Sequence, residues 1–223
     1  MRQPIRCVVF DFDGTLVDSN SIKRGAYHEV ARSLGEVSAL VDKVLGTVRG
    51  DRAGILREIV WRADERRLLP ATRTPGQWLD ELIANYTAYC EQRIAVCEAI
   101  PGAVQALECL REWRCPLYVN SATPTAPLVK VLQLRNMDHY FDGIYGVPAT
   151  KVENLQAIKR QSGVGFENML VVGDGEEDRL AAEKVGCAFY GVTSQGGGFS
   201  VPPAAVFPDL FPLADFVMQG VTR

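Results

Sequence analysis

The chain has 223 residues, 47% of them hydrophobic and 23% charged, with a formal net charge of −3 and a pI near 5.5. That is enough chain for one large domain or two modest ones, and its ordinary globular composition excludes a disordered protein. The mild acidity supplies no basic footprint for nucleic acid, so any attraction for an anionic substrate must be local.

No run approaches the roughly eighteen consecutive apolar residues of a membrane span, and Met1-Arg2-Gln3-Pro4 leads into a strand-like segment without a signal-peptide cleavage pattern. Neither a membrane partner nor a nucleic-acid partner is expected, and the expected location is the cytoplasm. Six cysteines, at positions 7, 90, 97, 109, 115 and 187, show no CxxC pairing, and the only histidines are His28 and His139. A zinc site or a disulfide framework is therefore not expected, and acid–base chemistry falls to carboxylates.

In chain order, Val8-Val9-Phe10 reads as a buried strand that runs out at Asp11-Phe12-Asp13-Gly14-Thr15. A central parallel strand is apolar on both faces, whereas buried carboxylates must find a cation or donors. Helical spacing follows at Ile22, Ala26, Tyr27, Val30, Ala31 and Leu34, ending at Gly35. Two more helical patterns use Ile55, Leu56, Ile59 and Val60, then Trp78, Leu79, Leu82, Ile83, Tyr86 and Tyr89. With no convincing strand between about 17 and 96, residues 17–96 are expected to form an all-helical insert on a domain made of 1–16 and 97–223.

From Pro101-Gly102 strands and helices alternate: a helix over 102–112, a strand over 116–120, a helix from Thr125 to Leu134 and a weak strand at Gly143-Ile144-Tyr145. A helix over 152–160, the strand 169–172, a helix ending at Gly186 and a fifth strand over 187–190 complete the series. Such alternation predicts right-handed crossovers and a parallel sheet covered on both faces. The segment from Val201 onward, rich in Pro and Phe, is expected to pack on the sheet edge.

The carboxyl ends of parallel strands open on one side, where such sheets bind ligands. Asp11 and Asp13 follow the first strand. Ser121 follows the second, before a helix start whose free N–H groups would favour an anion; read singly, it is also an ordinary capping serine. Lys151 follows the third in the first turn of a helix, where its charge opposes the dipole unless an anion is nearby; read singly, it is also a solvated lysine. Gly173-Asp174-Gly175-Glu176-Glu177-Asp178 follows the strongest late strand. Helix-start acidity accounts for Glu176 and Glu177, and less well for Asp174, which is flanked by glycines. Asp11, Asp13 and Asp174 offer the hard oxygen ligands that suit Mg²⁺.

These four groups, in this order and at these strand ends, resemble the haloacid dehalogenase-like phosphohydrolase superfamily, whose signature is a DxDGT/V motif, a Ser or Thr, a Lys and a GD-x-x-x-D motif. The helical insert looks like the small cap of the phosphoglycolate phosphatase and β-phosphoglucomutase branch. The resemblance spans nearly the whole chain. It implies an α/β fold, a Rossmann-like three-layer parallel sheet core with an inserted small all-helical cap domain.

It also implies Asp11 as nucleophile, Asp13 as general acid and base, and Mg²⁺ held by Asp11, the Asp13 carbonyl and Asp174. Ser121 and Lys151 would bind the phosphoryl oxygens, Asp178 would orient Lys151 or support the metal shell, and Gly14 and Thr15 would support the first motif. The implied substrate is a small phosphorylated metabolite. In the insert, Asn20, Lys23, Arg24, Arg49 and Arg52 are candidates to reach it, with Arg49 favoured. The sequence departs from the pattern at Thr150-Lys151-Val152, which lacks the usual Lys-Pro pair, and at Glu177, often Asn. A sugar-phosphate mutase remains the alternative, with a non-catalytic phosphoryl receiver or binding protein below it; oligomeric state is open.

Overall fold

A computed structural model describes residues 3–48, 50–194 and 198–220. The chain divides into two compact units, Met1–Asn20 with Ala95–Arg223, and Ser21–Ile94.

The first unit is built on a sheet of β1 (Cys7–Phe10), β2 (Leu117–Pro124), β3 (Gly143–Val147), β4 (Met169–Gly173), β5 (Ala188–Val192) and β6 (Val206–Phe207). The strands lie in the order β3-β2-β1-β4-β5-β6, and every pairing is parallel. Val9 stands at the centre, opposite Tyr118 on one side and Val171 on the other. Successive side chains on a strand point to opposite faces. Cys7, Val9, Met169 and Val171 accordingly pack with Leu155, Ile158, Ala181 and Ala182 of α7 (Lys151–Ser162) and α8 (Glu176–Val185). The alternate residues Val8, Phe10, Leu170 and Val172 are equally buried on the other face. This two-sided burial is why β1 and β4 read as unbroken apolar runs.

The other helices of this unit are α5 (Ala103–Glu112), α6 (Thr125–Leu134) and α9 (Leu213–Gln219). The sheet has one strand more than the sequence predicts. The sixth is a two-residue strand in a proline-broken segment, too short to show a period, and it adds to the β5 edge where the C-terminal segment was expected to pack. A second difference bears on the site. β2 runs on to Pro124 through a register irregularity between Asn120 and Pro124, so Ser121 lies inside the strand and not after it.

Among the described residues of the second unit the regular elements are all helices. It contains α2 (Ser38–Thr47), α3 (Arg52–Glu65) and α4 (Pro75–Ile94), together with all of α1 (Asn20–Ala31) but its first residue. The sequence reading passed over α2, although Leu40, Val41, Val44 and Leu45 form its buried stripe. Leu56, Ile59 and Leu82 are fully buried, and the Tyr27 and Tyr86 rings lie 4.7 Å apart. Among the described residues, no helix is long and apolar enough to cross a membrane. None of the six cysteines, all of them among the described residues, is in a disulfide.

Leu155 anchors α7, the helix that carries Lys151, to the sheet and is fully buried. Leu155→Ala is expected to lower the unfolding free energy by about 3 kcal/mol through lost burial and an unfilled cavity, measured as a fall in the urea midpoint at constant slope.

Candidate functional site

The chain leaves β1 at Phe10, and the Asp11 amide still donates to the Val172 carbonyl at 2.8 Å, which keeps Asp11 at the rim beside β4. The loop then turns back on itself, with the Leu16 amide donating to the Phe12 carbonyl at 2.9 Å and the Gly14 amide to the Val17 carbonyl at 2.8 Å. Gly14 has φ +75°, a left-handed conformation that glycine adopts without strain. Asp13 is buried, accepting hydrogen bonds from the Ser19 hydroxyl at 2.7 Å and the Thr123 hydroxyl at 3.0 Å.

Because β4 pairs with β1, the residue that follows β4 arrives beside Asp11. That residue, Asp174, accepts from Thr15 Oγ1 at 3.2 Å and from Asn20 Nδ2 at 2.7 Å. Asp178, in the first turn of α8, accepts from the Gly175 amide at 3.3 Å. One carboxylate oxygen from each of Asp11, Asp174 and Asp178 lies within 4.8 Å of the others.

Lys151 is the first residue of α7, whose start is fixed by a capping box between Thr150 and Glu153. The buried Asn120 adds a second anchor by donating to the Lys151 carbonyl at 2.9 Å, and Asn154 donates in turn to Asn120 Oδ1 at 3.0 Å. The Lys151 side chain is only 11% exposed, and its Nζ lies 2.6 Å from Asp178 Oδ1 and 3.3 Å from Asp11 Oδ1. The reading of Lys151 as a solvated lysine is thereby set aside. The anions whose presence would justify a cation at a helix start are Asp11 and Asp178.

The charges do not balance. Three carboxylates face one ammonium, and the burial that removes water raises the cost of each. Burial pushes the Asp11 carboxyl well above its ordinary value; Lys151 opposes the shift, while Asp178 and Asp13 add to it. Asp174 is pushed up to about 6, by burial first and then by Asp11, against the donors Asn20 and Thr15 and the charge of Lys151. Asp178 is also raised by burial, with Lys151 opposing. For Lys151, burial acts downward, but Asp11 and Asp178 outweigh it and its pKa is raised. Asp11 Oδ1 is buried and faces the Lys151 ammonium at 3.3 Å. Hard oxygen donors and surplus negative charge together fit a hard divalent cation.

The sequence-derived candidates are thus mostly gathered at one rim: Asp11, Asp13, Gly14, Thr15, Lys151, Asp174 and Asp178. Ser121 is 2% exposed, and its hydroxyl accepts from the Thr123 amide at 3.1 Å, so its link to Asp13 runs through Thr123. Asn20, one of the candidates to reach a substrate, bonds Asp174. Arg49 lies outside the described residues. Lys23, Arg24 and Arg52 belong to the helical unit. The sequence reading missed Ser19 and Thr123 as partners of Asp13, and Asn120 and Asn154 behind Lys151. Thr123 carried a signal, since residues two apart on an extended strand share a face and Ser121 was already a candidate.

The model of the haloacid dehalogenase-like hydrolase family matches residues 5–186. A phosphoglycolate phosphatase of Haemophilus influenzae (strain 86-028NP) is 29% identical over 216 residues, covering 94% of each chain. Among solved structures, a predicted phosphoglycolate phosphatase from Haemophilus somnus 129PT superposes with a TM-score of 0.76 at 20% identity, over 95% of this chain and 97% of that one. A candidate beta-phosphoglucomutase from Thermotoga maritima gives a TM-score of 0.73 at 19% identity, over 96% and 99%. These likenesses and the family match, which takes in every strand-end motif described above, agree with the parallel α/β architecture, and the chain belongs to the haloacid dehalogenase-like hydrolases.

Proposed function

We propose that this chain is a Mg²⁺-dependent phosphatase that hydrolyses a small phosphate monoester, of the class to which phosphoglycolate belongs, through an aspartyl-phosphate on Asp11. The observation that carries the reading is the Lys151 ammonium set between Asp11 and Asp178, with Asp174 beside them. A carboxylate held next to a fixed cation is a nucleophile suited to an anionic phosphorus centre. The match to phosphoglycolate phosphatases along nearly the whole chain supports the substrate class.

In the first step an Asp11 oxygen forms a bond to phosphorus and the ester oxygen departs with a proton from Asp13. In the second, Asp13 takes a proton from water, the water oxygen bonds to phosphorus, and the Asp11 carboxylate leaves as inorganic phosphate forms. The proton returns to Asp13, so one residue serves as acid and then base. Lys151 and Ser121 stabilise the charge on the transferring phosphoryl oxygens. Asp178 holds Lys151 in place. Asp11, the Asp13 carbonyl and Asp174 would hold Mg²⁺, which when bound offsets the repulsion between nucleophile and substrate and polarises the phosphoryl group. The helical unit would select the substrate, with Arg49 as its anion contact, and the cytoplasm is the proposed location.

A phosphate-release screen over phosphoglycolate, sugar phosphates, nucleotides and pyrophosphate is expected to show activity with Mg²⁺ and loss of it on chelation. Isomer formation from a hexose 1-phosphate without free phosphate would assign a mutase instead. Asp11→Asn is expected to cut kcat by roughly a thousandfold or more while the circular dichroism spectrum is unchanged; retained Mg²⁺-dependent turnover would overturn the assignment.

Asp13→Ala is expected to lose about 10² to 10⁴ in kcat on alkyl phosphates, whose leaving oxygen needs a proton. The same variant should keep most of its first-step rate on an aryl phosphate with a good leaving group. An equal loss on both substrates in single-turnover measurements would remove the acid role.

A further inference from the structure

We propose that Asn20 is a positioning residue for the metal ligand Asp174, setting the affinity of the site for its divalent cation; the inference rests on the metal reading above. Asp174 stands in a difficult place, partly buried and beside the Asp11 carboxylate. Left alone, like-charge repulsion would turn it away from Asp11, which removes a metal ligand. Two donors prevent this, both from the segment after β1. Thr15 Oγ1 donates to Oδ1 at 3.2 Å, and Asn20 Nδ2 donates to Oδ2 at 2.7 Å. Each oxygen of the ligand is therefore addressed separately, which fixes the plane of the carboxylate. A carboxylate has about four lone-pair directions, so these bonds leave capacity for a cation.

The chemical type at position 20 matters. An amide donates a hydrogen bond without carrying charge, so it orients the Asp174 carboxylate and does not compete with a cation for it. A lysine or arginine there would neutralise the ligand, and a valine or leucine would leave one oxygen unbonded. The backbone is also fitted to this bond. A Cβ on Gly14 would lie 2.2 Å from both Asn20 Nδ2 and Asp174 Oδ2, so the main chain passes against the pair, closer than any side chain permits. Asn20 itself is held by its place as the first residue of α1. Groups that orient a metal ligand in this way typically contribute 10- to 100-fold to metal affinity.

The test is calorimetric titration of MgCl₂ into the full-length, chelator-treated protein, with Asn20→Ala and Asn20→Leu beside the wild type. Leucine keeps the branched heavy-atom skeleton of asparagine without its donor, so it carries the test if alanine disturbs the fold. The expected result is Mg²⁺ affinity about 10- to 100-fold weaker in the variants. Affinity within twofold of wild type in a folded variant overturns the proposal. So does a lowered melting midpoint of the metal-free protein without a change in affinity, which marks a structural role only. A wild type that gives no Mg²⁺ binding defeats the metal reading itself, and this inference with it.

Discussion

The arrangement depends on one buried cation. Lys151 stands between Asp11 and Asp178, and it is the cation that faces the three carboxylates at the mouth of a parallel sheet among the described residues. Breaking a buried ion pair by removing one partner leaves an uncompensated charge, so each member holds the others in place. The pairing follows from topology. β1 and β4 are neighbours, which brings Asp11 and Asp174 together, while α7 starts after β3 on the far side of β2 and points Lys151 back toward them. Asn120 of β2, joined to Asn154 of α7, braces that helix start against the sheet, and Leu155 binds it to the core. The remaining negative charge is the part of the site that the protein does not satisfy by itself. That shortfall matches a cation and an anionic substrate that meet at the same point.

Asp13 occupies a different environment from Asp11, although the two are separated by one residue. Asp11 is buried with the Lys151 ammonium 3.3 Å from its Oδ1, the setting of the nucleophile proposed above. Asp13 is enclosed by the hydroxyls of Ser19 and Thr123, which fix its position and can exchange roles as donor and acceptor when its proton moves. Two acids that look equivalent in the string Asp11-Phe12-Asp13 are thus distinguished by the partners that the fold supplies. This is the usual means by which one site obtains a nucleophile and a proton carrier from the same residue type.

Much of this was legible in the sequence because its signals are local. An apolar run covered on both faces, followed at once by acids, marks a strand end, and the same logic locates Asp174 after Met169–Gly173. The helices from Thr125 and Lys151 were readable from their periodicity. What was not legible depends on contacts between distant positions: Thr15 and Asp174 are 159 residues apart, and Thr123 and Asp13 are 110 apart. No local pattern marks Asn20 as a partner of Asp174, so it read as one more polar residue of the helical insert. The extent of β2 was missed for a related reason. Ser121-Ala122-Thr123-Pro124 has weak strand propensity by itself and is drawn into the sheet by β3. The short β6 likewise exists only because β5 offers an open edge.

The central claim is that phosphate passes through a covalent bond to Asp11. Rapid acid quenching of the Mg²⁺-loaded protein during turnover of a phosphate monoester, followed by borohydride reduction and peptide mass mapping, tests it most directly. An acyl phosphate reduces to homoserine, so the account requires homoserine at position 11, with formation dependent on substrate and Mg²⁺. Phosphate release with position 11 unmodified, or with the label at Ser121 or Asp13, would contradict it.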